Sequence, residues 1–119
     1  MNEMKLGAIE SRFANMIWDQ EPIPSGTLVK LCADELQWKK STTYTVLRKL
    51  CDRGLFQNMD GVVTSLITRQ EYHARQSQQI VNDNYEGSLP AFVAAFASRQ
   101  KLSDADIAQL QQLIDQHRR

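Results

Sequence analysis

Cysteine and histidine are scarce in this sequence, which contains two of each among its 119 residues. Cys32 and Cys51 form no Cys-x-x-Cys pair and have no histidine near them at ligand spacing, so the sequence indicates neither a zinc site nor a disulfide scaffold. His73 and His117 accompany no catalytic cysteine or carboxylate pair, and no glycine-rich phosphate loop is present. We therefore expect no metal, no cofactor and no enzymatic activity.

An excess of charge of one sign is also absent, and so are long hydrophobic runs. Fourteen Lys and Arg balance fourteen Asp and Glu, so any attraction to nucleic acid must come from local clustering of charge. The apolar runs are far shorter than the roughly 20 residues that a membrane span requires, and the N-terminus does not resemble a secretion signal. These absences predict a cytoplasmic globular protein with no membrane insertion.

Hydrophobic residues at helical spacing predict three helices in the first half of the chain. The first covers residues 8–20, and its apolar stripe consists of Ile9, Phe13, Met16 and Ile17. Ser25 is predicted to cap a second, short helix. Ser41 is predicted to cap a third, which runs to Arg53 and is terminated by Gly54.

A short β-hairpin is predicted after the third helix. Two apolar-bearing runs within residues 55–68 flank Asp60-Gly61, a dipeptide whose easy positive φ angles suit a tight turn. Three helices followed by a hairpin are the elements of a winged helix-turn-helix domain. We therefore predict a mainly α fold class with a small β-hairpin, and we assign residues 1–68 to a winged-helix domain.

Three more helices are predicted in residues 69–119. Thr68 and Glu71 have the spacing of a capping box for the fourth helix, and Ser103 is a cap for the sixth. The apolar stripes of the fifth and sixth helices contain Phe92, Val93, Phe96, Ile107, Leu110, Leu113 and Ile114. Because a segment of this length cannot easily cover both stripes, we predict that these residues form the interface of a homodimer.

The third predicted helix concentrates positive charge. Five basic residues and one acidic residue lie between Lys39 and Arg53. At about 100° per residue, one face of this helix is formed by Thr43, Val46, Leu47 and Leu50. The opposite face carries Ser41, Thr42, Thr45, Arg48 and Lys49. Short hydroxyl side chains beside Arg and Lys suit a helix that lies in the major groove of DNA.

The same segment resembles a known family. Ser41-Thr-Thr-Tyr-Thr-Val-Leu-Arg-Lys-Leu50, preceded by Trp38 and followed by Arg53-Gly54-Leu55, is similar to the recognition-helix signature of the BlaI/MecI/CopY penicillinase-repressor family. Further similar features are Ile17-Trp18, the position of the hairpin, Gly87-Ser-Leu89 and Leu102-Ser-x-x-x-Ile107-x-x-Leu110. The resemblance covers nearly the whole chain.

The resemblance implies a homodimeric transcriptional repressor that binds inverted-repeat operators. Thr42 and Thr45 match threonines that contact DNA in the family, and Ser41 and Tyr44 occupy neighbouring groove-facing positions. Lys49 replaces the family's usual arginine and lacks its bidentate fork. The candidate DNA-binding residues are Lys39, Lys40, Ser41, Thr42, Tyr44, Thr45, Arg48 and Lys49.

This chain departs from the family pattern at three places. The hairpin turn carries Asp60 where the family commonly has a cation, which weakens the case for phosphate contacts by the hairpin. The Asn-Phe bond that is cleaved in the β-lactam branch aligns with Ala95-Phe96, so a membrane sensor protease is a partner implied by the resemblance alone. No cysteine follows Cys51, which argues against copper sensing by thiolates.

Two alternative functions stay open. A winged helix with zero net charge and an acidic hairpin turn can serve as a protein-interaction module without specific DNA binding. A repressor can also be released by a small ligand held between the dimerisation helices, with Tyr72, Tyr85 and Phe92 as lining. The salt dependence of DNA binding separates the first alternative from a DNA-binding repressor, because phosphate contacts weaken steeply as salt rises.

Overall fold

The computed structural model describes residues 6–118, which contain six helices and one three-stranded antiparallel sheet. In chain order the elements are α1 (Ala8–Gln20), β1 (Ile23–Pro24), α2 (Ser25–Leu36), α3 (Lys40–Asp52), β2 (Phe56–Met59), β3 (Val62–Ser65), α4 (Arg69–Asn84), α5 (Leu89–Arg99) and α6 (Asp104–His117). None of the helices in residues 6–118 combines the length and the apolar character needed to cross a lipid bilayer.

The first six elements form a winged helix-turn-helix. Helices α2 and α3 are the helix-turn-helix pair, and strands β2 and β3 form the hairpin, which we call the wing. The predicted fold class, mainly α with a small β-hairpin, is confirmed.

The chain divides into two compact units between Gln79 and Ile80, within α4. The division lies later in the chain than residue 68, where we placed the functional boundary. The start of α4 belongs to the first unit because Tyr72 is buried and its ring centroid lies 5.5 Å from that of Trp18. The assignment of separate functions to residues 1–68 and 69–119 stays a prediction.

The core of the first unit is built from α1, α2, α3, the sheet and the start of α4. Its buried apolar residues are Phe13, Ala14, Ile17, Ile23, Leu28, Cys32, Leu36, Leu47, Leu50, Leu55, Phe56, Val63, Ile67 and Tyr72. The prediction that Ile9 belongs to the apolar stripe of α1 is wrong, because Ile9 is 48% exposed. Ala14 is buried in α1 instead, where its small side chain lets neighbouring elements approach closely.

Trp18 connects three parts of this core. Its ring lies 5.2 Å from Phe56 of the wing and 5.5 Å from Tyr72 of α4, measured between centroids. Its indole Nε1–H donates to the carbonyl oxygen of Ile67 at 3.0 Å. The guanidinium of Arg69 lies over the same ring, 5.8 Å from the centroid, so the first turn of α4 is held against α1.

The wing turns at Asp60-Gly61, as predicted. Both residues have positive φ angles, 53° and 81°, which match the twist of a two-residue hairpin. Strand β3 also pairs with β1, so that Val63 lies opposite Ile23. The sequence did not predict β1, because a strand of two residues, one of them a proline, shows no period-two pattern.

Two predicted helix caps are wrong. Pro24 and Lys39 occupy the N-cap positions of α2 and α3, and neither makes a side-chain capping bond. Ser25 is instead the first residue of α2. Its N–H, which has no partner within the helix, donates to the carbonyl oxygen of Gly61 in the wing turn at 2.8 Å. Ser41 lies in the first turn of α3, where its side chain is exposed.

The caps predicted in the second half of the chain agree better with the structure. Ser103 caps α6 by accepting from the N–H of Asp106 at 3.0 Å, as predicted. Thr68 Oγ1 accepts from the N–H of Glu71 at 3.0 Å at the start of α4. Ser88 is the N-cap of α5, and its hydroxyl oxygen accepts from the N–H of Ala91 at 3.1 Å.

The same Gly→Ala substitution should have opposite effects at two glycines. Gly61 has φ +81°, which strains any L-residue, so Gly61→Ala should lower the free energy of unfolding by about 1–2 kcal/mol. Gly26 lies within α2 with open space around an added Cβ, so Gly26→Ala should raise it by about 0.5 kcal/mol. Urea unfolding followed by circular dichroism measures both. Equal effects would contradict the turn geometry.

Candidate nucleic-acid interface

The turn between α2 and α3 sets the direction of α3. Gln37 adopts a left-handed conformation, with φ 55° and ψ 35°, and the N–H of Trp38 donates to the carbonyl oxygen of Cys32 at 3.3 Å. The Trp38 ring packs against Phe13 with centroids 5.3 Å apart. Because the left-handed residue reverses the chain and the indole is anchored in the core, α3 leaves the turn in a fixed direction.

The inner face of α3 is inserted into the core, as the helical spacing predicted. Leu47 and Leu50 are buried, and Thr43 is 1% exposed. The Thr43 hydroxyl donates to the carbonyl oxygen of Lys39 at 3.2 Å, so its burial leaves no unsatisfied donor. Val46 and Cys51 are half-buried at the edges of this face.

The outer face of α3 presents hydroxyl and cationic side chains together. Its exposed residues are Lys39, Lys40, Ser41, Thr42, Thr45, Arg48 and Lys49. The hydroxyl of Thr45 donates to the carbonyl oxygen of Ser41 at 2.9 Å, which leaves its lone pairs able to accept. Asp52, also exposed, lies one turn beyond Arg48 and bounds the cationic region at the end of the helix.

Tyr44 differs from the other candidate residues because it is half-buried. Its hydroxyl donates to Ser25 Oγ at 3.1 Å, and the N–H of Ser25 donates to Gly61 in the wing turn. These bonds link α3 to the start of α2 and to the wing. Tyr44 therefore helps to position α3 relative to α2 and the wing.

Glu10 of α1, which sequence reasoning missed, contacts the cations of α3. Its Oε2 lies 3.0 Å from Lys49 Nζ, and its Oε1 lies 3.9 Å from Arg53 Nη1. Within residues 6–118, Lys39, Lys40 and Arg48 have no ion-pair partner. No local pattern signals a pair so distant in sequence, because only the packing of α1 beside α3 brings the two charges together.

A shallow cavity lies between α3 and the wing. Its volume is about 300 Å³, and it is lined by Tyr44, Leu47, Arg48, Cys51 and Asn58. Burial raises the pKa of the Cys51 thiol, so the thiol is the predominant form there at neutral pH. No group of His, Cys, Asp and Glu side chains suited to a metal ion occurs in the described part of the chain.

The apolar stripes of the second unit are not covered. No described residue of α5 or α6 is buried. Phe96, Ile107, Leu110, Leu113 and Ile114 are between 37% and 51% exposed, and Phe92 and Val93 are half-buried. A groove of about 300 Å³ is lined by Phe92, Val93, Phe96, Leu102, Asp106 and Leu110. This groove contains Phe92 of the proposed ligand lining, whereas Tyr72 belongs to the first unit.

Comparison with known proteins identifies the family. The family model described as "Penicillinase repressor" matches residues 6–116. The chain belongs to the penicillinase-repressor family. Members of this family are transcriptional regulators and not enzymes, so the prediction of no enzymatic activity is confirmed by family membership.

Two curated relatives of this penicillinase-repressor family member cover both of its units. The penicillinase repressor of Bacillus licheniformis is 26% identical over 113 residues, which span 92% of this chain and 88% of the relative. The methicillin resistance regulatory protein MecI of Staphylococcus epidermidis is 19% identical over 115 residues, which span 93% of this chain and 94% of the relative.

The contacts of Glu10 predict its titration. Lys49 and the N–H of Gly7 stabilise the charged form and hold the pKa of the Glu10 carboxyl below its ordinary value. These contacts therefore add to the free energy of unfolding. Their contribution is complete above about pH 4.3, the pKa of glutamate in an unfolded chain, and it is lost as the pH falls through the lower pKa of the folded state. Lys49→Gln should raise the pKa of Glu10, measured by NMR titration of its carboxyl carbon.

Arg75→Gln is the control for this titration. Arg75 pairs with Glu71 on α4 at 3.1 Å, so its substitution removes one cation without changing the contacts of Glu10. The pKa of Glu10 should then stay low. An unchanged pKa of Glu10 in Lys49→Gln would contradict the pairing.

Proposed function

We propose that this protein is a homodimeric, sequence-specific repressor that acts in the cytoplasm by occupying a palindromic operator. Its family suggests a DNA-binding transcriptional repressor, and the relative from Bacillus licheniformis is named a penicillinase repressor. The observation that carries the proposal is the outer face of α3. Exposed hydroxyls lie there beside Arg48, which has no ion-pair partner among residues 6–118, on a helix whose opposite face is fixed in the core.

In this proposal the middle of α3 reads bases in the major groove. The hydroxyls of Thr42 and Thr45 are short enough to reach base edges while α3 stays close to the groove floor. That of Thr42 can donate or accept, and that of Thr45, whose proton is donated to the Ser41 carbonyl, can accept. Arg48 has no ion-pair partner in residues 6–118 and offers a planar fork that matches the O6 and N7 acceptors of guanine.

The start of α3 binds phosphate in this proposal. Lys39 and Lys40 lie at the N-terminus of α3, where the helix dipole disfavours cations, and the N-cap makes no side-chain hydrogen bond. A DNA phosphate would accept from the uncapped backbone N–H groups and also neutralise both lysines. The arrangement is unfavourable for an isolated helix and favourable for one that binds an anion.

The wing contributes less to DNA binding. Its turn contains Asp60, and Met59 beside it is 62% exposed. A carboxylate at this position would repel a phosphate backbone. We therefore assign phosphate contacts to α3 and none to the wing turn.

The second unit supplies the dimer interface. Single exposed apolar residues are ordinary, but several on two consecutive helices form a continuous apolar surface. A second copy buries the same surface on both partners, which is the simplest way to cover it. The two-fold axis then presents two α3 helices to half-sites about one turn of DNA apart, or a multiple of it.

One observation favours the alternative of a protein-interaction module. Met59 and Val62, paired across the wing, are both exposed, and such an apolar pair beside an acidic turn suits a protein surface better than DNA. Binding through that surface would depend weakly on salt. Release by a small ligand would instead use the groove between α5 and α6 described above.

The membrane sensor protease implied by the resemblance stays a prediction. The Ala95–Phe96 bond lies inside α5, and the hydroxyl of Ser98 donates to the carbonyl oxygen of Ala95 at 2.7 Å. Proteolysis acts on locally opened chain, so cleavage at this bond requires α5 to unwind.

The proposed reading surface predicts the effect of two substitutions on DNA binding. Thr42→Ala and Thr45→Ala should each weaken binding to a duplex from upstream of the protein's own gene by about fivefold, the worth of one hydrogen bond, with the thermal unfolding midpoint unchanged. Fluorescence anisotropy at several salt concentrations, against a scrambled duplex, measures this. Wild-type binding should weaken log-linearly as salt rises.

Ser77→Ala is the matched control for Thr45→Ala. The hydroxyl of Ser77 donates to the carbonyl oxygen of His73 at 2.9 Å, the same local bond that Thr45 makes, but it lies on α4. Its loss should leave DNA binding unchanged. Wild-type affinity in both threonine variants would refute α3 as the reader, and equally weak binding of the wild-type protein to the upstream and scrambled duplexes would favour the protein-interaction module.

Dimerisation through α6 predicts a second pair of variants. Leu113 is half exposed, so Leu113→Glu costs a monomer little but places two charges in the proposed interface. It should convert the dimer to a monomer in analytical ultracentrifugation, whereas Gln112→Glu, which adds the same charge at the neighbouring position, should not. A Leu113→Glu protein that stays dimeric would place the interface elsewhere.

A further inference from the structure

The Glu10 carboxylate is positioned by a contact within its own helix as well as by the cations of α3. Its Oε1 accepts from the N–H of Gly7 at 3.2 Å, in the first turn of α1, and its side chain is only 18% exposed. Oε2 then lies 3.0 Å from Lys49 Nζ, and Arg53 lies 3.9 Å from Oε1. One fixed carboxylate therefore faces two of the five cations between Lys39 and Arg53.

Lys49 is the cation for which Glu10 and DNA would compete. It follows Arg48 directly, lies one helical turn after Thr45, and its side chain is 52% exposed. A cation that neutralises a phosphate releases counterions, and each such contact adds about 0.9 to the slope of log affinity against log salt. A cation that is already neutralised by a carboxylate contributes less to this slope.

We propose that Glu10 limits the DNA affinity of this protein by neutralising Lys49 and Arg53. The inference rests on the proposed function, because it requires α3 to bind DNA. Its consequence is that phosphate contacts come from Lys39 and Lys40, while Arg48 makes base contacts. Binding then depends more on the base contacts of the outer face than on the total charge of α3.

Glu10→Gln tests this directly. Glutamine keeps the shape of the side chain and an oxygen that can accept from Gly7, but it removes the charge. In anisotropy titrations over several salt concentrations, the slope should become steeper by about 0.9 to 1.8. At about 0.1 M salt the affinity should rise about tenfold for one released cation and about sixtyfold for two, for the upstream duplex and the scrambled duplex alike.

Glu71→Gln is the matched control because it changes the net charge equally. Glu71 pairs with Arg75 on α4, away from α3 in the chain. This variant should change DNA affinity by less than about twofold, because the effect of one charge that does not contact DNA is largely screened at about 0.1 M salt. Equal gains in Glu71→Gln and Glu10→Gln would mean that net charge alone is responsible, and would overturn the inference.

Lys49→Gln completes the test. In the wild-type background it should weaken DNA binding much less than Lys40→Gln does, because Glu10 already neutralises Lys49 whereas Lys40 has no ion-pair partner in residues 6–118. In the Glu10→Gln background it should remove most of the gained affinity. If Glu10→Gln fails to fold by circular dichroism, the comparison of Lys49→Gln with Lys40→Gln decides, and equal losses would overturn the inference.

The outcomes also separate this inference from the proposed function. A wild-type protein that binds the upstream and the scrambled duplex equally at all salt concentrations contradicts specific DNA binding itself. A wild-type protein that prefers the upstream duplex, together with a Glu10→Gln variant that behaves like Glu71→Gln, contradicts only the role of Glu10.

Discussion

The burial of one face of α3 is the constraint on which the rest of the structure depends. Leu47 and Leu50 lie in the core, and each such leucine contributes about 1.5–3 kcal/mol when it is buried. Thr43 joins them because its hydroxyl is satisfied by the carbonyl of Lys39. A rotation of α3 by one residue would place the charged Arg48 or Lys49 in the core, so the core also determines which residues face outward.

The two units offer surfaces of opposite chemistry. The first unit has a buried apolar core and exposes the hydroxyls and cations of α3, while α5 and α6 have no buried residue and leave apolar side chains exposed. The stack of Trp18 on Tyr72, with Arg69 over the indole, secures the start of α4 to the first unit. A polar cationic helix suits nucleic acid and an apolar helical surface suits a second copy, so one chain carries the two surfaces that the proposed dimeric repressor requires.

Local patterns in the sequence predicted most of the fold, and tertiary contacts account for what they missed. Helical periodicity and the Asp60-Gly61 turn gave the helices and the wing, because both depend on neighbours in the chain. Strand β1, the helical position of Ser25 and the pairing of Glu10 with Lys49 each depend on residues far away in sequence. The candidate DNA-binding residues stay a prediction, which the sequence could make because they all lie within residues 39–49, at one amphipathic helix.

An NMR titration of ¹⁵N-labelled protein with the duplex from upstream of its gene tests the central claim, that the outer face of α3 contacts DNA. Amide shift changes should concentrate at residues 39–49, in particular at Thr42, Thr45 and Arg48, with little change in the wing turn at residues 58–62. Changes confined to the wing, with none on α3, would contradict the account and assign recognition to a different surface.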